Sequence, residues 1–476
     1  MRFSTSVVAP LVMVALTAAG CGSKITPPGL SGTQISYTPT GCDYQVTTPQ
    51  GGQNAVYQPA SPVPAGTAPI HVHASFASDP SSSFAVNWKG DPKATLTQIL
   101  YGTDQSAVNG ANGAASGVTV QVGHSFDVPP SLFEMAAAGS IDVHVQEAHV
   151  CGLKPATTYF YKVGNTGAWS KVFSITTAPP VGSTSEFKFA VAGDARNDAM
   201  TFAHAEAAIQ ARGPLFQVFS GDAVDIGSIQ SQWDSFFETS YTPSEGPAVL
   251  GADVLATIPA MMTDGNHEGL ALNYLAQFAL PQQAGGGESV SGASGQPTLR
   301  AWYSFEYANI HFIDLNDTTE NGDTITGAEA TWIDKDLSAV DRSKTPWIIA
   351  IHHQPIYSCD NTHGSDTALG AAWQPLFDKY SVDLVLNGHV HNYQRSNPIR
   401  GSNLNAPAGA GTVYIVSGSV GAPLYGYNGV GTCAFNVTGS STTNYAIVDV
   451  KGNTLTFTAY DLMGGDVQLD QFTLSK

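Results

Sequence analysis

The run "ATIPAMMTDGNHE", residues 256–268, passes within a few positions from apolar core sequence to Asp264, Asn266, His267 and Glu268. A turn needs one or two such residues for its geometry. A metal site needs several oxygen and nitrogen donors, delivered by short, stiff side chains from the ends of strands. The same transition recurs along the chain: "VAGDARND" (191–198) supplies Asp194, "FSGDAVD" (219–225) supplies Asp222 and Asp225, "AIHHQP" (350–355) supplies His352 and His353, and "LNGHVHNY" (386–393) supplies His389 and His391. One such cluster would be an ordinary helix cap or turn. Five in one region, each following an apolar run, mark strand C-termini that converge on a ligand.

Between these strands lie helical patterns such as "MTFAHAEAAIQARG" (200–213) and "TGAEATWIDKDLSAV" (326–340). Strands alternating with helices make a layered α/β domain, with its ligands at the strand C-termini. Ahead of the hinge "TAPPVGSTSE" (177–186) the pattern differs. Short alternating runs, "IHVHASF", "FAVNWKG", "TLTQILYG", "IDVHVQEAHV" and "TYFYKVGN", are separated by turn residues, as in an antiparallel sandwich. In "CGLKPATTYFYKVG" (151–164), Leu153, Pro155, Thr157, Tyr159 and Tyr161 alternate, which resembles the late strand and tyrosine corner of a fibronectin type III module. His71, His73, His144 and His149 sit at strand spacing and read as surface or core residues rather than ligands.

The expected organisation is a signal peptide at 1–21, a Pro/Gly/Ser-rich tether with one short strand at 22–66, a sandwich at 67–178 and a catalytic domain at 184–476. The leader has one basic residue, an apolar stretch shorter than a membrane span, and small residues before Cys21. Its "AAGC" resembles a lipoprotein cleavage box, with Ala18 where Leu is usual. Cys21 is then either a lipidated membrane attachment or part of a plain signal-peptide junction, and the product is exported: periplasmic, extracellular or anchored at the bacterial cell envelope. The remaining Cys42, Cys151, Cys359 and Cys433 form an even set, and their spacing favours Cys42–Cys151 and Cys359–Cys433 among three connectivities. A formal net charge of -19 excludes a basic nucleic-acid-binding surface.

Carboxylate, amide and imidazole donors without thiolates suit Zn, Fe or Mn in a catalytic site rather than a structural zinc. Two such ions sharing a carboxylate clamp a phosphate during in-line displacement.

Residues 186–476 resemble a calcineurin-type metallophosphoesterase, and within that superfamily most resemble the purple acid phosphatases. "TWIDKDLSAVDRSKTPWIIAIHHQPIYS" (331–358) and "PLFDKYSVDLVLNGHVHNYQRS" (375–396) carry the likeness over long stretches, and the sandwich ahead of them matches the same two-domain layout. The resemblance implies an all-β fibronectin type III-like domain followed by a four-layer α/β/β/α domain holding two metal ions per chain. It implies Asp194 and His391 on the first metal, Asp222 as the bridge, and Asn266, His353 and His389 on the second. His353 is chosen over His352 because "HQPIYS" fits the family pattern. Asn266, His267 and His363 match residues that meet the substrate, and His267 and His363 match those that protonate the leaving group.

The sequence departs from this pattern twice. Arg196 stands where purple members carry Gly and the wider superfamily carries His, and Asp225 replaces the colour-giving Tyr. No tyrosinate–ferric chromophore is expected. The first metal then lacks one protein ligand or takes it from Asp225 or Asn197. Arg196 either forks a substrate phosphate or pairs structurally with Asp198 or Asp225. The expected activity is hydrolysis of small phosphate monoesters by a hydroxide generated on the metals. A phosphodiesterase or nucleotidase using the same metals is the alternative, with the rim shaped by 282–298 and 417–431. A non-catalytic binding protein is the rival of another class.

Overall fold

The computed structural model describes residues 34–49, 66, 68–91, 96–128, 143–196, 198–240, 253–282, 301–318 and 327–476. The leader with Cys21, Asn197 and nearly all of the Gly/Ser-rich 282–298 insert lie outside these residues. Strands β1 (Gln34–Tyr37) and β2 (Val46–Pro49) pair as an antiparallel hairpin. Composition had suggested a tether with one strand in this region. The hairpin is instead fastened at several points: Cys42 is bonded to Cys151, the Tyr37 ring stacks on His124 at 3.6 Å, and the Tyr44 hydroxyl lies 2.7 Å from His149 Nδ1.

The N-terminal domain holds β3 (Ile70–Ser75), β4 (Phe84–Lys89), β5 (Gln98–Gly102), β6 (Thr119–Val122), β7 (His124–Val128), β8 (Val143–Val150), β9 (Thr158–Asn165), β10 (Ala168–Trp169) and β11 (Phe173–Thr176). They form two sheets, β3-β4-β8-β7 and β10-β9-β5-β6, with β11 added on β9. Alternation along β9 turns Tyr159, Tyr161 and Val163 into the core. Lys154 N donates to the Tyr159 hydroxyl at 3.0 Å, the backward hydrogen bond of a tyrosine corner. His71, His73, His144 and His149 are all buried. His73, for example, stacks on Phe237 of the second domain at 4.2 Å.

The second domain contains β12 (Phe187–Ala192), β13 (Phe216–Phe219), β14 (Ala260–Met262), β15 (Tyr303–Tyr307), β16 (Ile310–Asp314), β17 (Trp347–Ile351), β18 (Leu384–Asn387), β19 (Tyr393–Ser396), β20 (Val413–Ser417), β21 (Asn436–Ser440), β22 (Asn444–Lys451), β23 (Thr454–Asp461) and β24 (Val467–Ser475). They make a sheet of order β14-β13-β12-β22-β23-β24 and another of order β15-β16-β17-β18-β20-β19-β21. The sheets meet through aromatic side chains: Phe216 and Phe189 of the first contact Phe312 of the second at 5.5 and 5.2 Å, and Phe216 also meets Phe305. Helices lie against the other faces. Phe202 of Ala199–Arg212 meets Phe219 at 6.0 Å, and Trp373 of Thr367–Tyr380 meets His352 at 5.3 Å. The parallel set β12, β13, β14 and the parallel set β16, β17, β18, β20 bring five chemistry-bearing strand ends together.

The domains share one hydrophobic core, in which Phe76 of the sandwich packs on Phe216 and Tyr307. Polar links cross the same boundary. Tyr161 Oη donates to Ala256 O at 2.6 Å, and Lys89 forms a buried ion pair with Asp234 at 2.8 Å. Breaking one partner of such a pair leaves an uncompensated buried charge, so the pair fixes domain orientation more surely than it adds stability.

Helix Glu329–Ala339 docks on the second sheet through His311, whose ring nitrogens lie 2.9 Å from Glu306 and 2.8 Å from Asp336. Burial opposes the imidazolium, but these two carboxylates outweigh it and push His311 up to about 9. A raised folded pKa gives stability that is fully present below the unfolded value of 6.5 and is lost as pH rises through about 9. We predict that His311→Gln costs roughly 2 kcal/mol near pH 6 and little above pH 9, the shift being discounted because Glu306 is partly exposed. Denaturant titrations at both pH values measure this, and an equal loss at each would refute it.

Candidate metal centre

The site lies where the chain leaves β12, β13, β14, β17 and β18. Asp194, Arg196, Asp222 and His389 all have left-handed backbones, with φ of 56, 50, 54 and 66°. Such conformations cost non-glycine residues on the order of 1–3 kcal/mol each and persist where the surrounding structure enforces them. Here they turn side chains from two sheets into one space. Close approach of backbone and ligand also demands glycine. A Cβ at Gly265 would lie 2.3 Å from Asp222 Oδ1, and one at Gly388 would lie 2.4 Å from Asp194 Oδ2.

Glu268 holds the bends in place. Its buried carboxylate accepts from Asp222 N at 2.8 Å, Gly265 N at 2.9 Å and Val224 N at 3.2 Å. Nothing in the sequence pattern assigns Glu268 a role. Its adjacency to Asn266 and His267 was the only signal. Asp264, from the same stretch, accepts from Leu270 N at 2.9 Å and Thr318 Oγ1 at 2.5 Å, and so supports the loop from below.

Asp194, Asp222 and His391 each offer a donor atom, and these atoms lie within 4.8 Å of one another. Beside them, Asn266 Oδ1 is 3.0 Å from His353 Nε2 and 2.9 Å from His389 Nδ1, while His353 Nε2 is 3.3 Å from Asp222 Oδ1. The structure therefore brings together all six residues expected to hold metal, with Asp222 between two donor sets. His353 Nδ1 donates to Ser220 O and His391 Nδ1 to Pro423 O, both at 2.7 Å, so each ring turns its Nε2 inward. His352 faces elsewhere: its Nδ1 lies 3.0 Å from Asp317 and its ring edge meets Trp373.

This arrangement fits cations. Asp222 Oδ2 makes no hydrogen bond although the Arg196 guanidinium stands 3.2 Å away, His391 Nε2 is buried without a hydrogen-bond partner, and Asn266 Oδ1 faces two imidazole nitrogens. Acceptors converging on acceptors need positive charge between them. In the protein alone, a proton on His353 supplies it: burial opposes that proton, but Asp222 pushes His353 up to about 10. Asp222 is in turn held well below the usual carboxylate range. Burial works against its charge, and His353, His267 and Arg196 outweigh it.

The remaining predicted residues form the rim. His267 N donates to Asp222 Oδ1 at 3.0 Å, and His267 Nδ1 lies 2.6 Å from Asp225 O and 3.0 Å from an Arg196 terminal nitrogen. The His363 ring lies 4.3 Å from His389 and 5.1 Å from Tyr425. Its loop is anchored by Asp360, which accepts from Thr362 N and His363 N, and by the Cys359–Cys433 disulfide. Both disulfides join the partners that the spacing favoured. Arg196 contacts Asp225 and Asp222, each at 3.2 Å. Asp198 instead caps helix Ala199–Arg212. The Asp225 carboxylate pairs with Arg196 and lies outside the three-residue donor group.

Two family models match the chain: "Purple acid Phosphatase, N-terminal domain" over residues 69–177 and "Calcineurin-like phosphoesterase" over 187–393. Purple acid phosphatase 21 of Arabidopsis thaliana is 31% identical over 281 residues, covering 56% of this chain and 56% of the relative. A purple acid phosphatase from yellow lupin seeds superposes with a TM-score of 0.66 at 20% identity, covering 86% of this chain and 74% of that one. The structure of PhoD superposes with a TM-score of 0.61 at 13% identity, covering 87% and 92%. These superpositions speak to the fold alone. The chain spans only about half the length of curated relatives such as the Arabidopsis protein. The two domain matches, their order and the converging donors agree: the chain carries a purple acid phosphatase-like N-terminal domain followed by a calcineurin-like phosphoesterase domain.

Proposed function

We propose that the chain is an exported phosphoesterase that uses two metal ions to hydrolyse small phosphate monoesters. The observation that carries this reading is the pair of donor sets sharing Asp222, in which buried acceptors face one another. Asp194, Asp222 and His391 would hold one ion, and Asp222, Asn266, His353 and His389 the other. When bound, such a pair supplies a water of near-neutral pKa as nucleophile and a clamp on the phosphate oxygens. The intermediate donor hardness suits Zn, Fe or Mn. Export is supported by the leader sequence and two disulfides. Among the described residues, no helix is long and apolar enough to cross a membrane.

The protein's own residues position and protonate. Ser220 and Pro423 carbonyls fix the tautomers of His353 and His391. Asn266 lies within reach of both histidines of its set and orients them as a unit. His267 Nδ1 donates to the Asp225 carbonyl at 2.6 Å, with the Arg196 guanidinium packed beside it. His363 sits at the rim on a disulfide-braced loop, with its ring beside His389. This placement favours His363 as the group that delivers a proton to the departing alkoxide.

Four outcomes test the proposal. Chelation of the purified protein should abolish nitrophenyl phosphate hydrolysis, and readdition of Zn, Fe or Mn should restore it. Diester substrates should be slower, and faster diester than monoester turnover would shift the reading to a phosphodiesterase. For His363→Ala, turnover of an alkyl phosphate should fall at least about 10-fold more than turnover of nitrophenyl phosphate, whose leaving group needs no proton. Equal losses would remove His363 as the acid. Glu268→Gln should weaken zinc binding by roughly 10-fold through loosened bends. Calorimetry would read that loss directly, and unchanged affinity would mean that Glu268 does not position the ligands.

A further inference from the structure

The two donor sets are not equivalent, and Arg196 makes the difference. The set at Asn266 comprises Asp222 Oδ1, Asn266 Oδ1, His353 Nε2 and His389 Nδ1. The set at Asp194 comprises Asp194, Asp222 and His391. The position from which a further donor would reach the second of these is taken by a guanidinium: Arg196 Nε lies 3.2 Å from Asp222 Oδ2, the oxygen that His353 does not face. A guanidinium stays charged at any working pH and offers no lone pair. Asp225, the nearby carboxylate that could have served as a ligand, is engaged by the other end of the same side chain at 3.2 Å.

Charge reinforces the count. Asp194 gives its set one more carboxylate than the other, and the Arg196 cation beside Asp222 offsets that advantage. Arg196 is also not free to swing aside. Its side chain is 16% exposed, its amide donates to Asp222 O at 3.1 Å, and His267 flanks its terminal nitrogen.

We infer that Arg196 makes the two metal positions unequal, leaving the ion held by Asp194, Asp222 and His391 the weaker and more exchangeable one. The consequence is a phosphoesterase whose second ion depends on the surrounding metal concentration, with loading at the Asp194 side acting as the limiting step. This inference rests on the binuclear reading of the site, and its test needs no substrate.

Zinc titrated into the chelator-stripped full chain, followed by calorimetry, should bind in two resolved steps separated by at least about tenfold in affinity. His391→Ala should remove the weaker step and His389→Ala should weaken the tighter one. Arg196→Gly frees the left-handed backbone of its side chain and removes the cation, and Arg196→His exchanges the cation for a donor. Each should tighten the weaker step by roughly tenfold or more, the histidine variant further, and leave the tighter step in place. Two ions of equal affinity in the unmodified protein, or a weaker step untouched by both Arg196 variants, would overturn the inference. Unequal binding with no hydrolysis of nitrophenyl phosphate would leave it standing and refute the phosphatase instead.

Discussion

The site depends on one buried carboxylate that is not among the converging metal donors. Glu268 collects the amide hydrogens of Asp222, Val224 and Gly265, and so ties the bend after β13 to the bend after β14. Without a common acceptor, three buried N–H groups would lack partners, at about 1–3 kcal/mol each. The loops would then find other shapes. With it, Asp222 is forced into a left-handed backbone and Gly265 is pressed against its carboxylate. Strain at the ligands and the hydrogen bonds at Glu268 are therefore two ends of one constraint.

The constraint holds because the layers around it are rigid. Phe189 and Phe216 press one sheet against Phe305 and Phe312 of the other, so strand ends from both sheets stay opposed. The sandwich domain extends the same core through Phe76. Its contribution to the site is indirect. Lys89 neutralises Asp234 in helix Gln230–Ser240, and Trp233 of that helix donates to Gly227 O in the loop that follows Asp222 and Asp225. Packing thus runs from the N-terminal domain to the metal loop through this helix.

Sequence made the strands and their polar ends visible because both obey local rules: an apolar run must stop, and the residues at its end are read in order. Asp194, Asp222, Asn266, His353, His389 and His391 are legible on that basis, and the structure gathers them. Glu268 was not, since nothing local distinguishes a carboxylate that clamps amides from one that faces water. The hairpin at 34–49 was hidden for a related reason. Its order comes from Cys151, His124 and His149, all more than seventy residues away, and the composition of the segment says nothing of them. His352 and His353 are neighbours in sequence, and no local rule separates them; the family pattern around "HQPIYS" favours His353, and the fold agrees by bonding His352 to Asp317 and facing His353 to Asp222.

The two departures from the family pattern explain each other. An arginine placed alone beside Asp222 would repel any cation approaching that carboxylate. An aspartate placed alone at position 225 would add a charge to a site already rich in them. Together they pair at 3.2 Å, which balances the added aspartate and fixes the arginine in place while its Nε still faces Asp222 at 3.2 Å, with His267 beside the contact. The left-handed φ of 50° at Arg196 is a conformation that glycine adopts freely and arginine does not. A side chain held there against backbone preference, and braced by both Asp222 and Asp225, belongs to a built arrangement. A decaying site would be expected to lose its donors along with its pattern, whereas here the six donor residues stay converged around the substitution. On the proposed reading the substitutions adjust one side of the centre, and the converged donors weigh against the rival reading of the chain as a binding module with a defunct site.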